Sequence, residues 1–500
     1  MKKIFAALIL MFLIVAVGAS ADELSDRAQA FDDWLNTYHV TPYGGIGYVN
    51  FVSPESDEIT SYSLSDSTIW TGTYLAAEAF RYAVTGDAEA KENAVRTVEA
   101  LDAHLQVTGV PGFIARFAGP DIAPHNTAYI GHDRYVAGTG DWAGSFWINN
   151  TSRDQYTGWF LGMSLAYDLV DDEPMRDIIR ADVKDVIDKL MADNYWIRGE
   201  DGRPTDAGPH ALSTMRVCWH LIAAHILDDP EYWDLYEERY EADRGQFDIH
   251  SFSLFQKYDQ YYGFNLAHDT FFNLLRLERN PDRRAFYLRV FHDQIRWLVE
   301  YTHNVLFDVI YLANCDRAGE CRGYDASLRD LQEQIADFQD PPVRDVTVEI
   351  PEIPLDPFSV FLSDLIDQLG LRDLIDIEPQ SLYPRPVRHR CPSSFMWQKT
   401  PYNIDCAGGD GHEVYPGVDY LTAYWMGRYY NLIEPGQTGE VLWPPDEASD
   451  DDADDDIEDD DSDDEEPDDD DDDVGPDGDD DDSTGDISSG DDDDDDGCGC

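Results

Sequence analysis

Two stretches of this chain can be written over one another without a gap, and that repeat limits the fold more than any other feature. The first is Trp70-Thr71-Gly72-Thr73-Tyr74-Leu75, running on to Gly86; the second is Tyr156-Thr157-Gly158-Trp159-Phe160-Leu161, running on to Asp172. Each is a run of small and aromatic residues with few charges, broken by a short polar turn, Thr85-Gly86-Asp87 or Asp171-Asp172-Glu173-Pro174. Each turn leads into a charged, amphipathic segment. Residues 89–106 carry Ala94, Val95, Val98 and Leu101 on one face, and residues 175–193 carry Ile178, Ile179, Val183, Val186, Ile187 and Leu190. The pattern returns at 212–227 followed by 232–243, and at 266–279 followed by 283–301. A last apolar segment, 418–433, is expected to pair with the N-terminal helix 24–38.

A helix that is apolar all round must be buried, and one with a single apolar stripe lies outside it. Alternation of the two through tight turns predicts an inner ring jacketed by an outer ring, an all-α fold of the (α/α)6 toroid type. The helix count is near twelve if 326–338 and 357–376 are included; an open α-solenoid or irregular bundle is the alternative. The Gly-containing inner helices and their Gly-Asp or Asp-Pro turns resemble the six-hairpin, glycosidase-like toroid superfamily over most of residues 24–433. The likeness is architectural. It implies an exported carbohydrate-active enzyme, a glycoside hydrolase or polysaccharide lyase, acting where the inner helices begin. A non-catalytic glycan-binding or cell-surface scaffold protein would use the same cavity.

The ends of the chain set its expected location. Lys2 and Lys3 precede fifteen apolar residues, 4–18, and Ala19-Ser20-Ala21 follows, the small-x-small pattern of a signal peptide over 1–21. Fifteen apolar residues fall short of the ~20 that cross a bilayer as a helix. The chain is therefore read as extracytoplasmic: secreted, periplasmic or on the surface of a bacterium. The toroid domain occupies 22–446 and a disordered Asp-rich tail 447–500. Between Asp450 and Asp496 the tail carries 32 acidic residues and no Lys or Arg, so self-repulsion leaves nothing to offset the entropy of ordering it. Weak calcium association is expected there, without the ordered ligand spacing of a specific site. The tail ends in Gly497-Cys498-Gly499-Cys500, which resembles the start of C-terminal sorting signals on exported proteins of some Gram-negative bacteria. Cys498 is thus a candidate for surface attachment, or else a free or disulfide-paired cysteine.

The formal net charge of −68 leaves about −38 on the body once tail and signal are set aside, which argues against nucleic acid and anionic membrane as partners. The expected partner is a polysaccharide or oligosaccharide. In an oxidising compartment Cys315 with Cys321, and Cys391 with Cys406, are close enough in sequence to pair, while Cys218 lies in an apolar run and is expected buried. No spacing suggests zinc, and no cofactor or metal is expected.

Residues that precede the inner helices should line the central cavity. They include Asp66, the Arg153-Asp154-Gln155 run, the His268-Asp269 pair and Asp419. A long connector, roughly 107–152, adds Arg116, His132, Asp133, Trp142 and Trp147; a second, 384–417, adds Trp397. Glycoside hydrolysis needs one protonated and one ionised carboxyl group with aromatic platforms, and Asp133 with Asp154, flanked by Trp142, Trp147 and Trp397, supplies that set. A lyase needs a cation for the uronate and a base for the C5 proton, which Arg116, His132, His268 and Tyr261 supply. The candidate catalytic residues are therefore Asp133, Asp154, His268 and Asp269. The candidate substrate-binding residues are Arg116, His132, Trp142, Trp147, Arg153, Tyr261 and Trp397.

Overall fold

A computed structural model describes residues 23–199, 201–206, 208–249, 261–315, 321–343, 354–372, 377–390, 398–404 and 411–435. The signal segment, the acidic tail with Cys498, Trp397, and the Cys391 and Cys406 pair lie outside the described residues.

The described chain is mostly helical. Six helices are buried on nearly every side: α2 (Ser67–Thr85), α4 (Arg153–Leu169), α6 (Ser213–Leu227), α8 (Tyr262–Leu277), α10 (Val305–Ala313) and α13 (Val418–Tyr429). In α2, for example, every residue from Ser67 to Arg81 is buried. Others bury one stripe only. Helix α1 (Glu23–Tyr38) buries Leu24, Ala28, Phe31 and Leu35, and α5 (Glu173–Ala192) buries Met175, Ile179, Val183, Val186, Ile187 and Leu190. Helices α3 (Ala88–Gln106), α7 (Pro230–Asp243), α9 (Pro281–Val290) and α11 (Tyr324–Ala336) complete the hairpins, and α12 (Pro357–Leu369) is an addition between α11 and α13. The turns are chemically explicit. Gly86 ends α2 at φ 67°, and the Asp87, Asp172 and Asp229 side chains accept from the first turns of α3, α5 and α7.

Helices α2 and α4 touch backbone to backbone and run parallel. A Cβ on Gly72 would lie 2.1 Å from the Gly158 carbonyl oxygen, and one on Gly162 would lie 2.3 Å from that of Gly72. The two glycines that the repeat places at equivalent positions are thus each other's neighbours. At the start of the chain, Arg81 joins α1, α2 and α3 by pairing with Asp32 at 2.7 Å, Glu78 at 3.2 Å, and Asp87 and Glu89 at 3.0 Å each. Burial still pushes Glu78 up to about 8, because desolvation outweighs the guanidinium beside it.

Beside the helices, and beyond the all-α expectation, lie two small three-stranded antiparallel sheets. Strand β1 (Tyr48–Phe51) lies between β2 (Ile59–Ser63) and β6 (Glu413–Val414), and β5 (Ser145–Ile148) lies between β3 (Phe117–Pro120) and β4 (Tyr135–Ala137). Their inner faces share a small core of Val49, Phe51, Tyr62, Leu64, Phe117, Tyr129, Phe146, Ile148 and Val414. The long connector is therefore folded: it carries β3 to β5, and Ile148 hands the chain through Asn150 to the start of α4.

Three other expectations change. Helix α8 begins at Tyr262 rather than 266, so His268 and Asp269 lie in its second turn rather than at its start. The helix expected over 283–301 is α-helical only to Val290 and continues as a π turn over Phe291–Ile295 and a 3-10 turn over Arg296–Leu298. The helix expected over 357–376 stops at Leu369, where Gly370 takes φ 66°.

Candidate functional site

A polar cluster that sets an ion pair beside a buried carboxyl lies where α2 and α4 begin. Because the two helices are parallel and in contact, their first turns stand side by side, and β3 and β5 deliver Arg116 and Asn150 to the same place. Asp66 holds the N-cap position of α2 but makes no side-chain cap bond. Instead its Oδ1 accepts from Arg116 Nη1 and from Gln155 Nε2, both at 2.9 Å. Arg116 also donates Nη1 to the Ser65 carbonyl and Nε to the Asn150 carbonyl, each at 2.7 Å. Gln155 Oε1 closes the circuit by accepting from the backbone N–H of Ile69 at 3.0 Å.

Asp154 is in the first turn of α4 and only 3% exposed. Burial pushes its carboxyl up to about 6, and the Asp66 charge adds to that, while Arg153 and Arg116 pull the other way. A carboxyl group shifted upward by burial thus adjoins one paired with a guanidinium, and two carboxyl groups in unlike surroundings are what a site needs to offer both a proton donor and an anion. Beneath them, Thr68 Oγ1 donates to the Ala115 carbonyl at 2.8 Å and lies 2.7 Å from His104 Nδ1. Burial lowers His104 to about 3, so the ring is neutral and acts as scaffold.

The structure brings together Arg116, Arg153 and Asp154 of the expected residues, with Asp66 and Gln155. His132 and Asp133 pair with each other at 2.7 Å on an exposed loop, where the Asp133 side chain is 86% exposed. That loop reaches the same end of the helices through Tyr129, whose hydroxyl accepts from the Leu64 backbone at 2.6 Å and whose ring is 6.3 Å from that of His132. Trp142 is half-buried, 6.0 Å from the half-buried ring of Tyr43. Trp147 is different: it is 2% exposed and packs edge-on to Phe113, so it presents no face on which a sugar could stack.

The α8 residues form a second, deeper set. Tyr261 is buried and shares hydrogen bonds with Thr302 at 3.1 Å and Asn304 at 3.3 Å. His268 stacks on Phe307 with centroids 3.9 Å apart, its Nδ1 lies 2.6 Å from the Phe264 carbonyl, and burial lowers it to about 3. That neutral, enclosed ring is a core residue. Asp269 is buried and burial alone pushes it up to about 8. Helical spacing puts it on one face with Asn265, Phe272 and Arg276, the face that meets Phe80 of α2 and Asp168 of α4.

Sequence reasoning treated Asp66 and Gln155 as leaders and left both out of the site. The residue that joins them is Arg116, just ahead of β3, and nothing in spacing links residue 116 to residue 66. Among the described residues no group of three or more His, Cys, Asp or Glu is placed to hold a metal ion, and no helix is long and apolar enough to cross a membrane. No protein-family model matches the chain, and no curated protein sequence matches it.

Proposed function

We propose that this chain is an exported carbohydrate-active enzyme built on a six-hairpin (α/α) toroid, with its site at the starting ends of the inner helices. What supports the toroid reading is the packing order of the six buried helices: α2 on α4, α4 on α6, α6 on α8, α8 on α10, α10 on α13, and α13 back on α2. Parallel direction is supported by the pairs Tyr156–Trp219, His268–Phe307 and Phe80–Tyr429 along neighbouring helices. Export is supported by the Cys315–Cys321 disulfide, a bond that persists in oxidising compartments.

The observation that carries the enzymatic reading is the position of Asp154, buried in the first turn of α4 with its carboxyl pushed up to about 6, beside the Arg116-paired Asp66. In this reading Asp154 donates a proton to the leaving oxygen of a glycosidic bond, and Asp66 acts as the base or nucleophile. Trp142 and Tyr43 form the platform. Hydrolysis fits better than elimination, because Arg116 is only 3% exposed and is already paired with Asp66, which places it poorly for a uronate. The same burial, with Trp147 lost to the core, is what favours the second reading, a glycan-binding or surface-scaffold protein.

A screen of neutral and uronic polysaccharides for reducing-sugar release and for unsaturated products separates these readings. Reducing ends without unsaturation, lost in Asp154→Asn, support the hydrolase; unsaturated products support a lyase; binding without turnover supports the scaffold. Turnover that persists in both Asp154→Asn and Asp66→Asn removes the site. Surface attachment through Cys498 and loose calcium association of the tail belong to the same proposal and concern residues outside the described ones.

A further inference from the structure

Helix α12 is built the wrong way round for a chain that stays alone. Its inward residues are Ser359, Ser363 and Ile366. Both serines spend their hydroxyls inside: Ser359 Oγ accepts from the Gln380 backbone at 2.9 Å, and Ser363 Oγ accepts from Arg372 at 2.9 Å. The outward face is apolar instead. Phe361 is 59% exposed, Leu365 36% and Leu369 60%, and with Phe358 they follow the i, i+3, i+7, i+11 spacing of one helical stripe. A surface helix normally turns such a stripe to the core and its hydroxyls to water.

The stripe continues beyond the helix. The Leu382 N–H donates to the Pro354 carbonyl at 2.7 Å, and Leu355 is bridged to Ser381, which sets Leu355, Leu382 and Tyr383 beside the start of α12. All three are at least 41% exposed. About half of each of these seven side chains adds up to on the order of 600 Å² of apolar surface, at the top of what a monomer leaves in water. It is also close to the ~800 Å² that each partner contributes to a stable interface.

We infer that this face is a homodimer interface, with α12 packing antiparallel against α12 of a second copy. Three arguments choose that occupant. The area matches what one protomer of a standard dimer buries. The stripe is self-complementary about a twofold axis: Phe361 meets the partner's Leu365, and Phe358 the partner's Leu369, so that a large ring faces a smaller side chain at each level. The rim carries Asp364 and Asp367, and Arg372 is already held by Asp367 and Glu378, so an anionic lipid surface finds repulsion there. Because both protomers are strongly acidic, added salt strengthens the pairing by screening their repulsion.

The test is sedimentation velocity of the full chain over a concentration series at low and high salt, with Phe361→Ser/Leu365→Ser as the comparison. These side chains lie outside the core, so an unchanged melting temperature checks that the variant folds. The expected result is a concentration-dependent dimer, tighter in high salt, whose association is weakened at least ~100-fold in the double variant. A monomer at every concentration overturns the inference, as does a dimer indifferent to the substitutions. A monomer whose α12 is protected from hydroxyl-radical labelling assigns the face to the chain's own flanking segments and also overturns it.

Discussion

Replacing Gly72 by alanine tests the contact on which the α2–α4 rim depends. The added Cβ would sit 2.1 Å from the Gly158 carbonyl oxygen, 2.5 Å from its carbon and 3.0 Å from the Trp159 nitrogen. A comfortable carbon–oxygen contact is about 3.3 Å, and all three neighbours are backbone, so no side chain can swing aside. The helices must separate by about 1 Å at that level. A gap of that size forfeits a quarter to a half of the dispersion energy along the seam, and overpacking of this kind costs ~1–3 kcal/mol or more. Alanine returns about 1 kcal/mol of helix propensity. The net expectation is a loss of about 2 kcal/mol, with the Ile69–Gln155 bond at 3.0 Å stretched at the same time. Urea denaturation followed by far-UV circular dichroism measures it, with Gly245→Ala as control, where a Cβ meets nothing within 4 Å. A Gly72→Ala protein as stable as its parent, or more stable, would refute the close parallel packing and with it the geometry of the rim.

Asp182 of α5 faces Asp102 of α3, and burial with that neighbour pushes it up to about 8. Its folded value lies above the unfolded one, so the folded state holds a proton that the unfolded state has released between about pH 4 and pH 8. Stability therefore falls as pH rises through that window. Asp182→Asn should melt higher than the parent at pH 9 and lose most of the advantage at pH 5, on the order of a few kcal/mol between them; parallel melting curves would show the pair is not coupled. Trp147→Ala should destabilise by ~3–5 kcal/mol and leave glycan affinity per folded molecule unchanged, measured by calorimetry. If Asp154 is the proton donor, turnover should fall as pH rises through about 6, and a profile flat between pH 5 and pH 8 would assign the acid to another group.

Most of the hairpins were readable because burial is written directly into helix composition. A run such as 69–80 has no polar face to offer water, whereas 175–190 has one apolar stripe, and the structure places the two accordingly. The shared glycine of the repeat was readable as a position but not as a contact, since spacing alone does not say that Gly72 meets Gly158. The sheets were missed for a physical reason: strands of two to five residues carry too little alternation to register, and their stability comes from pairing residue 49 with 414, far apart in the chain. Helix α10 is a nine-residue run, apolar except for Asp308, that reads equally as a buried strand. Asp154 was legible as a helix leader. Its partnership with Asp66 was not, because Arg116 and Gln155 create it only once the helices lie side by side.

The most direct test of the proposed site is the crystal structure of Asp154→Asn, chosen to halt turnover, soaked with the oligosaccharide its parent degrades or binds best. The account expects a glycosidic oxygen within hydrogen-bonding distance of the residue 154 side chain, with Asp66 on the other side of the bond and Trp142 against a ring face. Well-ordered sugar bound elsewhere, with the α2–α4 rim empty, would contradict it.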